Sequence, residues 1–169
     1  GEVAFAVMRK HFGVFLANEP GTRMGDDMEF LHDMRVAARR LRAAMQAFRP
    51  FLPPRIERFR LGLGWVAAAL GEVRDLDVQI ERMGEWREGF RGEDAAALDS
   101  IERLFEAGRQ AARRRMLNAL DSRRYDLLIA QFTAVLQRGA PAGFAAGRLP
   151  ILAVAPDLLE KRYRRLRKM

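Results

Sequence analysis

The sequence predicts an all-α protein, an antiparallel bundle of long helices. No stretch sustains the period-2 alternation of β-branched residues that a strand requires, apolar residues recur at helical spacing, and Gly, Pro and capping residues fall at helix-length intervals. At 169 residues, 49% hydrophobic and 31% charged, the chain has a globular composition. Its length suits one domain of ~150 residues plus the opening of another.

A first helix is expected from Val3 to Asn18, ending before Pro20-Gly21, because proline removes a backbone donor and glycine is a common stop. Asp26 or Asp27 then caps a second helix reaching Arg49, and Pro50, Pro53 and Pro54 close it. Arg55 to Glu88 reads as the third helix. Gly89 and Gly92 turn the chain into a fourth, Glu93 to Leu120, and these four form an up-down bundle. Asp121-Ser122 opens a shorter fifth helix to Arg138, so residues 1–138 read as a bundle with an appended helix. Residues 139–150, rich in Gly, Ala and Pro, read as a linker, and Pro156 to Met169 as a new, strongly basic helix. Residues 151–169 thus begin a second helical half that is incomplete. A start at Gly1 without Met or a secretory signal reads as an internal fragment or a processed chain.

Charge and cysteine content narrow the function. Thirty basic against 22 acidic residues give a net charge of +8 and a pI near 11.0, which suits a polyanionic partner. Only Lys10, Lys161 and Lys168 are lysines, so 27 of the 30 cations are Arg, the better bidentate ligand for phosphate oxygens. A GC-rich coding bias accounts for most of that ratio but not for where the arginines sit. Without Cys there is no disulfide, thiolate ligand or thiol nucleophile, and two His leave little for zinc. No uncharged run exceeds the eleven residues of Leu61 to Gly71, short of the ~20 a spanning helix needs. A cytoplasmic protein without membrane segments is expected.

The second helix separates two faces. At about 100° per residue, with His32 at 0°, Arg35, Arg39 and Arg42 fall at about 300°, 340° and 280°. Phe30, Met34, Ala37, Leu41, Ala44, Met45 and Phe48 occupy the opposite arc of about 120–220°, the core side. Charged helix faces are most often simply solvated. A stable solvated face, however, usually alternates sign, whereas no acid lies among Arg35, Arg39 and Arg42. Their mutual repulsion calls for an anion, and His32, one turn earlier, adds a donor.

On the third helix Asp75 and Asp77 point about 200° apart and cannot share a metal. Arg74 and Asp77, three apart, are spaced to pair, and one acid is expected to orient a neighbouring Arg. Gly71 is read as allowing close helix approach beside a core Trp65. On the fourth helix Leu98, Ile101, Phe105, Ala112 and Met116 form the apolar arc, with Arg109 and Arg113 at its edge. The run Arg113-Arg114-Arg115 fans around the helix, so at most two of the three serve one site.

These residues carry a family likeness. The string His32-Asp33-Met34-Arg35-Val36-Ala37-Ala38-Arg39-Arg40-Leu41-Arg42-Ala43, followed by Leu70-Gly71-Glu72-Val73-Arg74-Asp75-Leu76-Asp77-Val78, resembles the CHAD domain, the conserved histidine α-helical domain. Asn18-Glu19-Pro20 and Gly25-Asp26-Asp27 also resemble its first loop. The resemblance implies a cytoplasmic module of two four-helix bundles related by a pseudo-two-fold, binding inorganic polyphosphate in a basic groove between them. It also implies targeting to polyphosphate granules and, in some relatives, a neighbouring triphosphate-hydrolysing CYTH domain. Carried onto this sequence, the family's basic surface maps to His32, Arg35, Arg39 and Arg42, then to Arg74, Arg109 and Arg113, and from the second half to Arg162 and Arg165. The family's second His-x-x-Arg helix is not reached by Met169.

The expected function is therefore non-catalytic binding of polyphosphate, without cofactor or metal. Polyphosphate has no bases, so its binder needs Arg but no stacking aromatics or base-edge readers. An RNA-binding helical protein is the alternative; it would interleave Asn, Gln or aromatic residues with the arginines, and the stripe does not. On this reading nucleic acid is only a non-specific polyanion. Phosphoryl transfer with His32 as phospho-acceptor lacks a Gly-rich loop with Lys and converging carboxylates for Mg²⁺. A basic face that meets an acidic protein is a further alternative.

Overall fold

Helix ends in this chain follow from a few caps and tertiary contacts. The computed structural model describes residues 1–169 except 88, 142–143, 145–146, 148 and 168–169, and except the side chains of 93, 157–158, 161–162 and 165–166. Six helices carry the described residues, without a strand among them: α1 (Glu2–Met24), α2 (Met28–Ala47), α3 (Ile56–Arg87), α4 (Glu93–Leu120), α5 (Arg123–Arg138) and α6 (Ile151–Leu166), with a short 3-10 turn Arg49–Phe51 after α2. Asp27 caps α2 by accepting the Glu29 N–H at 2.8 Å, and Ser122 caps α5 by accepting that of Tyr125 at 3.2 Å.

Two boundaries differ from expectation. Instead of ending at Asn18, α1 continues through Pro20 to Met24, where Gly25 at φ 78° closes it by donating to the Gly21 carbonyl at 2.8 Å. Pro20 lies on the exposed side, where a missing donor costs least, while Thr22 is buried and donates to the Asn18 carbonyl at 2.8 Å. Arg113 from α4 supplies the decisive contacts: its guanidinium donates to the carbonyls of Thr22 (3.2 Å), Arg23 (2.6 Å) and Met24 (2.9 Å), three acceptors that a helix end leaves unpaired. At the other end of the chain, α6 begins at Ile151 and carries Pro156 inside it, again on an exposed side.

Successive helices pack antiparallel, α1 on α2, α2 on α3 and α3 on α4. Their shared core holds Phe5, Met8, Phe12 and Phe15 of α1, Met34 and Leu41 of α2, and Phe59, Leu63, Val66 and Leu70 of α3. From α4 only the C-terminal half enters, through Ala112, Met116 and Leu120; Ile101 of the expected apolar arc is exposed. The space is filled by α5, whose Phe132 packs edge-on to Phe12 (4.9 Å between centroids) and against Phe59 (5.0 Å). By rise alone the 32-residue α3 is ~48 Å long against ~30 Å for the 20-residue α2. The far ends of α3 and α4 therefore extend past α2 as a two-helix projection.

Candidate anion-binding site

The face between α2 and α3 is set by register. Gly71 lies under Arg35, so that a Cβ there would stand 3.5 Å from Arg35 Nε, and Gly64 lies under Arg42, at 3.3 Å from its Nε and Cζ. Two arginines seven residues apart on α2 thus lie over two glycines seven apart on α3, with Ala67 and Ala68 between them. Small residues on α3 leave a shallow trough, and the guanidiniums of Arg35 and Arg42 lie in it. Gly71 therefore makes room for the Arg35 guanidinium of the neighbouring helix. Trp65 is half-buried against the core and carries the Arg124 guanidinium 4.2 Å above its ring.

Burial within the stripe follows angle. The buried arc of α2 includes Leu31 and Ala38 and excludes Phe30, which is 42% exposed, so the core reaches closer to the stripe than the sequence suggested. Arg42 and Arg35, at its edge, are half-buried, whereas Arg39, further round, is exposed. His32 is half-buried one turn before Arg35. Arg35 Nη2 donates to Asp75 Oδ1 at 3.3 Å across the trough; that carboxylate is 71% exposed, so the pair is weak. Among the described residues His32, Arg39, Arg42 and Arg74 have no hydrogen-bond or ion-pair partner, and the Nε of Arg42 is buried with its donor unused. An unsatisfied buried donor costs about 1–3 kcal/mol, which an acceptor such as a phosphate oxygen would relieve.

The structure sets two of the mapped residues apart from this face. Arg109 Nε donates at 2.5 Å to Oδ1 of Asp77, a carboxylate 2% exposed, and Nη1 reaches Glu106 at 3.4 Å; these acids raise its already high pKa against the opposing effect of burial. It ties α3 to α4, and Asp77 pairs with it rather than with Arg74. Arg113 is occupied by the three carbonyls at the end of α1. In the same run, Arg115 pairs with Glu72 at 2.9 Å, and Arg114 is exposed. Arg74 is half-buried on α3 one turn from Gly71 and remains with the stripe. The side chains of Arg162 and Arg165 lie outside the described residues. Among the described residues no group of three His, Asp or Glu is placed to hold a metal ion, and no helix is long and apolar enough to cross a membrane. A hollow of about 470 Å³ between Phe48, Phe51, Pro141, Pro150 and Ile151 is away from the stripe, between the start of α6 and the bundle.

Sequence reasoning missed the trough. Its signal was the spacing Gly64, Ala67, Ala68, Gly71, a run of small residues on one helical face.

A family model for the CHAD domain matches residues 6–169, nearly the whole chain. The chain belongs to the CHAD family. Among solved structures, PptA from Streptomyces chartreusis is similar at 22% identity with a TM-score of 0.78, over 98% of this CHAD chain and 59% of PptA. That likeness establishes the fold, and this chain spans about three fifths of the PptA chain. No curated protein matches by sequence.

Proposed function

We propose that this CHAD chain binds inorganic polyphosphate, without catalysis, along the trough between α2 and α3. Arg35, Arg39 and Arg42 hold successive phosphates, with His32 and Arg74 at one end. The unused, buried Nε of Arg42 is the observation that carries the reading, because it is a donor facing no acid among the described residues. Family membership and the absence of any base-reading side chain on the stripe support polyphosphate over RNA. Association with polyphosphate granules, a CYTH-type neighbour and a second helical half beginning at residues 151–169 belong to the same proposal.

Calorimetric titration with long-chain polyphosphate, with single-stranded RNA as matched polyanion, tests it at about 0.15 M salt, where the Debye length is ~8 Å. The expected result is binding of polyphosphate that survives added salt, RNA much weaker, and loss of polyphosphate binding in Arg35→Ala/Arg39→Ala/Arg42→Ala with helical circular dichroism retained. Equal, salt-labile affinity for both polymers would reduce the site to its net charge and overturn the reading.

A further inference from the structure

We propose that the anion path continues over the crest of α2 onto a second cationic patch, Arg40 of α2 with His11 and Lys10 of α1, which engages only phosphate chains long enough to cross the helix. The inference rests on the polyphosphate reading above and extends it to a third helix.

Register places the patch. Gly21 of α1 receives the Phe30 ring of α2, which fixes the antiparallel pairing of these helices. Ten residues back along α1 and ten forward along α2 bring His11 opposite Arg40. Electrostatics reports the same juxtaposition: His11 is held below its ordinary pKa first by partial burial, then by Arg40, then by Lys10. No carboxylate from either helix offsets those cations. Arg40 and Lys10 are exposed and have no ion-pair partner among the described residues, whereas Arg9, one residue earlier, is occupied by the Leu136 carbonyl at 3.1 Å.

The two patches are continuous. Arg39 belongs to the trough and Arg40 to the new patch, yet they are adjacent and about 100° apart on the exposed crest of one helix. Packed helices stand 8–10 Å apart, so the distance from the α3 side to the α1 side is roughly 16–20 Å. Tripolyphosphate is too short to cover it, while a long chain reaches both sides. A long chain would also neutralise the field of Arg40 and Lys10 on His11, which then takes up a proton. Binding coupled to proton uptake strengthens as pH falls and weakens as pH rises, so long-chain affinity should increase from pH 8 to 5.5.

The test is calorimetry with long-chain polyphosphate and with tripolyphosphate on the wild type, Lys10→Ala/Arg40→Ala, Arg39→Ala/Arg42→Ala and His11→Gln. Removing two exposed contacts should weaken the long chain about tenfold and leave tripolyphosphate within about twofold. Arg39→Ala/Arg42→Ala should weaken both ligands, and His11→Gln should flatten the pH dependence of the long chain. An unchanged long-chain affinity in Lys10→Ala/Arg40→Ala, or an equal loss for both ligands, overturns the second patch while the trough stands. A gain in long-chain affinity from pH 8 to 5.5 as large in His11→Gln as in the wild type also overturns it. Wild-type protein that prefers neither polyphosphate over RNA overturns the trough reading itself.

Discussion

Arg109 and Arg42 are both arginines at the edge of an apolar arc, and what separates them is the partner across the helix interface. Opposite Arg109 stands Asp77, 2% exposed, so the guanidinium neutralises a buried carboxylate and holds α3 to α4. Arg109→Ala leaves that carboxylate buried and alone, and its expected cost is about 3 kcal/mol, the low end for breaking a buried pair because Arg109 is itself partly exposed. Urea unfolding should show the loss, and polyphosphate affinity should remain within about twofold of wild type. Unchanged stability with binding abolished would return Arg109 to the site. The stripe itself was legible from sequence, because an angle on a helix follows from numbering alone. The fates of Arg109 and Arg113 were not, since Asp77 is 32 residues away along the chain and the carbonyls of Thr22, Arg23 and Met24 about 90.

Between elements, the site depends on what α3 lacks. A side chain at position 64 would meet the Arg42 guanidinium, the far end of a flexible side chain, so the helix pair would persist and the arginine would move. Gly64→Leu is therefore expected to weaken polyphosphate binding severalfold without lowering the melting temperature, since replacing a mid-helix glycine itself stabilises by roughly 0.5–1 kcal/mol. Retained affinity, read by calorimetry beside a thermal melt, would show that the trough does not set where Arg42 stands. Helix extents were largely legible: Glu93–Leu120 falls where the turn residues put it, and Asp27 and Ser122 cap as their chemistry requires. Pro20 misled because local propensity ended α1, while a tertiary contact from Arg113 continued it for nearly two further turns.

At the scale of the whole molecule, unequal helix lengths divide α3 and α4 into a covered and an uncovered part. Among the described residues of 79–107, Met83 alone is buried, and Trp86, Ile101 and Leu104 are exposed. The ion pairs Arg87–Asp99 (2.9 Å) and Arg87–Glu102 (3.8 Å) join the two helices there, yet they are exposed and weak. Length could be counted from the sequence, but the register that leaves this end uncovered could not, because it depends on where α2 pairs with α3. Few buried contacts mean a low local opening energy. In hydrogen exchange the backbone amides of 79–87 and 94–107 should therefore exchange faster than those of 59–73 and 110–120, which line the core. Long-chain polyphosphate should slow exchange along 32–42 and 64–74, where the proposed ligand lies, and leave the projection as it was. Slowing concentrated in the projection would move the anion site off the trough, to the C-terminal end of α3.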